Sequence, residues 1–127
     1  MSRHAVIGDR PVSCPTGMAD AARAAHNLAV ARLTAIGVKL RGHAIRAIEY
    51  QRGEVKRPKG WAIRDPNSPT GYTGAYSTGT RIVIVTAPDG SAANVSDLPH
   101  EWAESLLIRA KVWNQKERHQ LIAKAKL

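Results

Sequence analysis

The residues best suited to chemistry stand together at His100-Glu101-Trp102-Ala103-Glu104. On a helix, positions four apart share a face, so His100 and Glu104 would present two metal-ligating groups side by side. Glu101, next to the first of them, has the position of a general base. A zinc hydrolase of this kind carries histidine at both ligand positions, and here the second is glutamate. A third ligand is also wanting, because His119 lies 19 residues beyond His100. That is about 28 Å along an unbroken helix, too far to share an ion. The competing interpretation is a plain helix start, in which Glu101 and Glu104 offset the helix dipole and Trp102 enters the core. No metal and no other cofactor is therefore expected, and a degenerate zinc-hydrolase-like helix is kept as the remaining alternative.

Other catalytic sets are weaker. Cys14, the single cysteine, precedes a predicted helix whose amide groups could lower its thiol pKa, but no histidine can be placed beside it. A lone cysteine also excludes a disulfide framework and a multi-cysteine zinc site. Asp65, Asp89 and Asp97 have no spacing that implies paired acid–base work. No Gly-x-Gly-x-x-Gly or Walker-type lysine motif occurs, so a dedicated nucleotide site is not expected, and the chain is taken to be non-enzymatic.

The cations carry the broader signal. The 127 residues have a formal charge of +9, distributed as +8 over residues 21–64, −4 over 65–108 and +5 over 109–127. Lys56-Arg57-Pro58-Lys59-Gly60-Trp61 places three cations and an indole in six residues, suiting phosphate contact and base stacking. Lys39, Arg41 and His43 alternate as on one face of a strand, Arg46 and Arg52 extend the same block, and Tyr72 and Tyr76 sit on a glycine-rich loop able to close over a flexible strand. Lys116, Arg118 and Lys124 would assist from the C-terminal block. The chain has no phenylalanine, which excludes the paired exposed phenylalanines of an RRM sheet. If the two basic blocks meet on the folded surface they make a polyanion-sized face.

These residues need elements to hold them. At 43% hydrophobic and 23% charged, the chain has the composition of one globular domain over residues 1–127. His4–Ile7 suits a short edge strand, and Gly8-Asp9-Arg10-Pro11 with Cys14-Pro15 suggests irregular chain. A helix is predicted over about 17–36, with Thr16 as N-cap and Gly37 just beyond its end. Its inner face is mostly alanine, and Arg32 falls on that face, where it is expected to snorkel past the alanines rather than meet an acidic partner. Alternation favours extended structure over 38–52, although a helical phase fits nearly as well. Gln51-Arg52-Gly53-Glu54 suggests a hairpin turn, with a return limb over Val55-Lys56 and Trp61–Arg64.

Residues 65–79 form a flexible Gly/Pro-rich loop, Thr80–Thr86 a central buried strand, and Ala87–Gly90 a turn. Pro99 opens a long helix whose apolar stripe runs from Trp102 to Trp113 and Leu121, with Asn114-Gln115 as the place where a basic tail helix over 115–127 would separate. The expected fold class is α+β: an N-terminal helix, a small mostly antiparallel sheet, and a long C-terminal helix packed on it.

The start of the chain lacks the apolar core of a signal peptide, and no run is long enough to span a membrane, so a cytoplasmic protein without membrane contact is expected. The leading expectation is a small basic protein that binds nucleic acid or a ribonucleoprotein. The alternative is a protein-interaction module docking on an acidic partner, such as an inhibitor or assembly factor of phage or mobile-element type. Trp102, Trp113, Tyr72 and Tyr76 would then be its anchors.

Overall fold

The computed structural model describes residues 2–53, 64–72 and 75–127. The chain opens with a β-hairpin, β1 (Ser2–Ile7) and β2 (Arg10–Pro15), closed by Gly8-Asp9 and registered from Ile7↔Arg10 to Ser2↔Pro15. The edge strand is as expected, whereas the irregular chain expected at 10–15 is a strand. In a two-residue hairpin the pair flanking the turn is hydrogen-bonded and every second pair follows. Pro11 and Pro15 fall on the intervening positions, where no N–H is needed by β1. Val12 and Cys14 then point inward and are buried, so the two prolines disguise an ordinary alternation.

Helix α1 (Ala19–Ala35) buries Ala22, Ala25, Ala29 and Leu33. Met18 occupies the N-cap position expected of Thr16 and contributes no side-chain bond. The far end stops as the sequence implies. Gly37, at φ +91°, donates to the Thr34 carbonyl at 3.0 Å while Val38 donates to that of Leu33 at 3.1 Å, the paired bonds of a Schellman cap. Arg32 is exposed, and its Nη1 donates to the Lys126 carbonyl at 2.5 Å, tying α1 to the segment after α3.

Residues 38–46 carry no regular structure, and β3 follows at Ala47–Arg52. It runs parallel to β5 (Arg81–Thr86) over six pairs, from Ala47↔Arg81 to Arg52↔Thr86, and parallel to β2 at Ser13↔Ala47. The short β4 (Ala75–Ser77) lies antiparallel on the other side of β5. The sheet order β1-β2-β3-β5-β4 is therefore mixed rather than mostly antiparallel. The cause is α1, which acts as the crossover between β2 and β3 and so returns the chain in the same direction. The return limb expected after residue 53 falls on residues 54–63, outside those described. Arg64 bridges to Tyr72 instead.

As expected, β5 is buried on both faces. Ile82 and Ile84 join the main core with α1 and the next helix, while Val85 packs with Tyr72. The stretch expected as an open loop thus contributes β4 and a buried tyrosine. Gly53 is required there, because a Cβ at that position would stand 2.6 Å from the Tyr72 ring.

A single 3-10 turn (Val95–Asp97) leads into α2 (Leu98–Arg109), with proline in its first turn as predicted. The long C-terminal helix is in fact two. The end of α2 is capped through Lys111, in the left-handed region at φ 68°. Then α3 (Gln115–Lys124) starts at Asn114, whose Oδ1 accepts from the Glu117 N–H at 3.0 Å. Leu121 stays with the core, but Trp113 leaves the apolar stripe and is 70% exposed. No helix among the described residues is long and apolar enough to cross a membrane.

Candidate functional site

Besides the Arg32–Lys126 bond, the two basic blocks meet where the end of α2 touches the segment before β3. Arg109, at the end of α2, donates from Nε to the Arg41 carbonyl at 3.3 Å. The residues around this contact form a groove of about 310 Å³ whose lining includes Ala44, Thr80, Arg109, Lys111 and Trp113. Two further bonds fix its walls. The Arg46 N–H donates to the Thr80 carbonyl at 2.6 Å, and Ser105 Oγ donates to the Gly79 carbonyl at 2.6 Å, pinning the β4–β5 turn to α2. Arg41, Arg46, Arg109 and Lys111 are all exposed. The groove therefore combines two lining cations, Arg109 and Lys111, with an accessible indole, while the exposed Arg41 and Arg46 stand on the segment bonded beside it.

The other residues expected to bind do not all gather here. Lys39 lines a separate, larger cleft beside Asp9, His26 and His43. Arg52 sits at the opposite end of β3 and packs over Gly90, where its charge bears on Asp89. Lys56, Arg57, Lys59 and Trp61 lie outside the described residues. Tyr72 is 6% exposed, so it is a packing residue rather than a lid. The backbone of Tyr76 pairs with Val83 in β4, and its side chain lies outside those described. Lys116 and Lys124 are exposed on α3. Trp102, expected among the possible interface anchors, is fully buried. Trp113, expected on the apolar stripe of the helix and also among the possible anchors, is exposed, because the chain leaves α2 before it and restarts at Asn114.

Arg118 is committed internally. Its Nε donates to Glu104 Oε1 at 3.3 Å, and its Nη1 donates to the carbonyls of Val112 and Trp113, each at 2.9 Å. With side-chain exposures of 12% and 10%, Arg118 and Glu104 form a largely buried pair. His119 Nε2 approaches the same oxygen at 3.6 Å, and the His119 and His100 ring centres are 5.7 Å apart. Glu101, one turn before Glu104, is buried, and its Oε2 has no hydrogen-bond partner among the described residues. Burial first, then the negative charges of Glu104 and Asp97, push its carboxyl up to about 7. Cys14 is also buried, and desolvation raises its thiol, opposite to the activation a helix start would give.

Beneath the larger cleft, three rings lock together. Trp102 Nε1–H donates to His26 Nδ1 at 2.9 Å, which makes that nitrogen an acceptor and leaves the proton of neutral His26 on Nε2. Likewise His43 Nδ1 accepts from the Ile45 N–H at 3.1 Å, so Nε2 is the donor to the Ile7 carbonyl at 2.6 Å. Burial, followed by the nearby His43, lowers the His26 pKa below its ordinary 6.5. A histidine with a depressed folded-state value contributes stability that is present above 6.5 and lost as pH falls through that lowered value. His26→Gln is expected to remove this component, so the loss of thermal stability between pH 7.5 and 5 should be smaller in the variant than in the wild type. Equal losses by circular dichroism melting would refute the assignment. Neither a protein-family model, nor a curated protein, nor a solved structure matches the chain.

Proposed function

We propose that this chain is a small non-catalytic protein of the cytoplasm that binds nucleic acid, free or within a ribonucleoprotein, through the groove between residues 41–46 and 109–113. The observation that carries this is the contact of Arg41 with Arg109 beside an indole left 70% exposed. Guanidinium and ammonium groups supply phosphate contacts, and a solvent-facing indole supplies sequence-tolerant stacking on an unpaired base. Lys116 and Lys124 extend the positive surface along α3.

Fluorescence anisotropy of a labelled single-stranded oligonucleotide at several salt concentrations tests this. Four phosphate contacts to a single strand give a log–log slope of about −3. Trp113→Ala should weaken binding by about 1–3 kcal/mol with little change in slope, since stacking carries no counterion release. Arg109→Ala should reduce the slope by roughly one contact. No binding to either RNA or DNA at low salt would overturn the proposal. The exposed Trp113 also favours a second interpretation, an anchor for an acidic protein partner. A complex with one protein that survives nuclease treatment would support that instead.

A further inference from the structure

We propose that the larger cleft, of about 700 Å³ and separate from the basic groove, binds a short peptide of about three residues with free termini and an apolar middle side chain. The cleft has two walls that run side by side. One is α1, where His26, Val30 and Thr34, spaced four apart, share a face. The other is the irregular segment after the α1 cap. It starts at the end of the helix, where the Val38 N–H bonds to the Leu33 carbonyl, and returns along it. At His43 it reaches the hairpin, through the bond of Nε2 to the Ile7 carbonyl and a ring 5.4 Å from that of His26. Two turns and more of helix separate His26 from Thr34, which makes the cleft about 12 Å long.

Charge marks its two ends. Asp9 stands at the hairpin end and Lys39 at the other, both exposed, and neither has an ion-pair partner among the described residues. Between them Val30, Val38 and Leu40 are half-buried and supply an apolar lining. The acidic end also holds a fixed donor. Because Trp102 occupies His26 Nδ1, the proton of neutral His26 sits on Nε2, which has no acceptor among the described residues. A Cβ at position 8 would stand 3.3 Å from that nitrogen, and Gly8 leaves it uncovered. The backbone of Lys39, Leu40 and Gly42 likewise makes no hydrogen bond among the described residues.

Opposite charges flanking an apolar stretch match a zwitterion of the same length, and three residues of extended chain span about 10 Å. The peptide ammonium pairs with Asp9, and the first carbonyl accepts from His26 Nε2–H. The middle side chain lies against Val30, Val38 and Leu40, and the carboxylate meets Lys39. The open backbone at 39–42 offers the peptide groups partners of the kind an added strand uses. A fatty acid would leave Asp9 unanswered, and a nucleotide would bring its phosphates into a cleft with one lysine and an opposing carboxylate.

Amide-resolved NMR titration of the full chain with the tripeptide Ala-Leu-Ala tests this. Saturable shifts centred on residues 8–9, 26–34 and 38–43 are expected. The same peptide acetylated and amidated at its ends, and Ala-Gly-Ala with free ends, should each bind about tenfold more weakly or worse. Asp9→Asn and Lys39→Gln should each weaken binding about two- to fivefold, the range of an exposed ion pair. Both side chains are exposed, so neither substitution threatens the fold. Asp20→Asn removes an exposed carboxylate outside the cleft and should leave binding unchanged. Folded protein without saturable shifts would overturn the proposal, as would binding that ignores both Asp9→Asn and Lys39→Gln. Equal binding of the blocked peptide would overturn it too, since the cleft would then take an internal protein segment rather than free termini.

Discussion

Replacing Glu101 by glutamine is expected to make the protein more stable at pH 8, relative to pH 4, by about 3 kcal/mol. The carboxyl is buried, and its pKa rises from 4.5 in the unfolded chain to about 7 in the fold. A raised folded-state value means that the folded protein keeps its proton longer than the unfolded chain does. The associated stability is present in full below 4.5 and is gone once pH has risen through about 7. At about 1.4 kcal/mol per pH unit, that interval amounts to about 3 kcal/mol. Glutamine does not titrate, so its stability lacks this decline, and any constant cost of burying the amide cancels between the two pH values. For a chain of this size the change corresponds to roughly 10 °C in Tm. Denaturant unfolding of both proteins from pH 4 to 8 measures it. Parallel curves would show that the wild-type carboxyl finds a partner the fold does not reveal.

Arg118→Ala is expected to cost about 3–5 kcal/mol, the usual penalty for removing one partner of a buried ion pair. Both side chains are nearly nine-tenths buried, so solvent does little to screen the Glu104 charge left behind. The loss is compounded because two carbonyls of the link between α2 and α3 lose their donor. Lysine would not restore them, since it has no planar fork to reach a carboxylate and two carbonyls together. The damage should concentrate in α3, so amide exchange over residues 115–124 should accelerate more than exchange in β5. A loss under 1 kcal/mol with uniform exchange would mean that the pair behaves as an exposed one.

Much of the framework is visible in the residues. Gly37 announces the end of α1, the β-branched run at 81–86 announces a buried strand, and Asn114 announces α3. What escaped depends on partners remote in sequence. The prolines of β2 read as breakers because their harmlessness depends on which N–H groups β1 requires. Parallel pairing of β3 follows from where α1 carries the chain, which no local pattern in residues 47–52 records. Lys111 gives no warning that it adopts the left-handed conformation normally left to glycine. That turn decides the basic groove. It exposes Trp113, and it brings His119 back to Glu104, a proximity that counting residues along a straight helix ruled out. The meeting of the two basic blocks was posed by the charge distribution and answered by contacts such as Arg41–Arg109 and Arg32–Lys126.

Arg118 ends up serving two masters. One guanidinium grips the Glu104 carboxylate and the carbonyl of Trp113, the residue whose ring walls the groove. Positions that never touch are therefore linked through a third. Whatever draws Glu104 away from the guanidinium alters how firmly the indole is held, and a ligand that fixes the indole steadies the guanidinium in return. Free-energy changes at the two positions are then not independent quantities to be added, but two readouts of one shared tether.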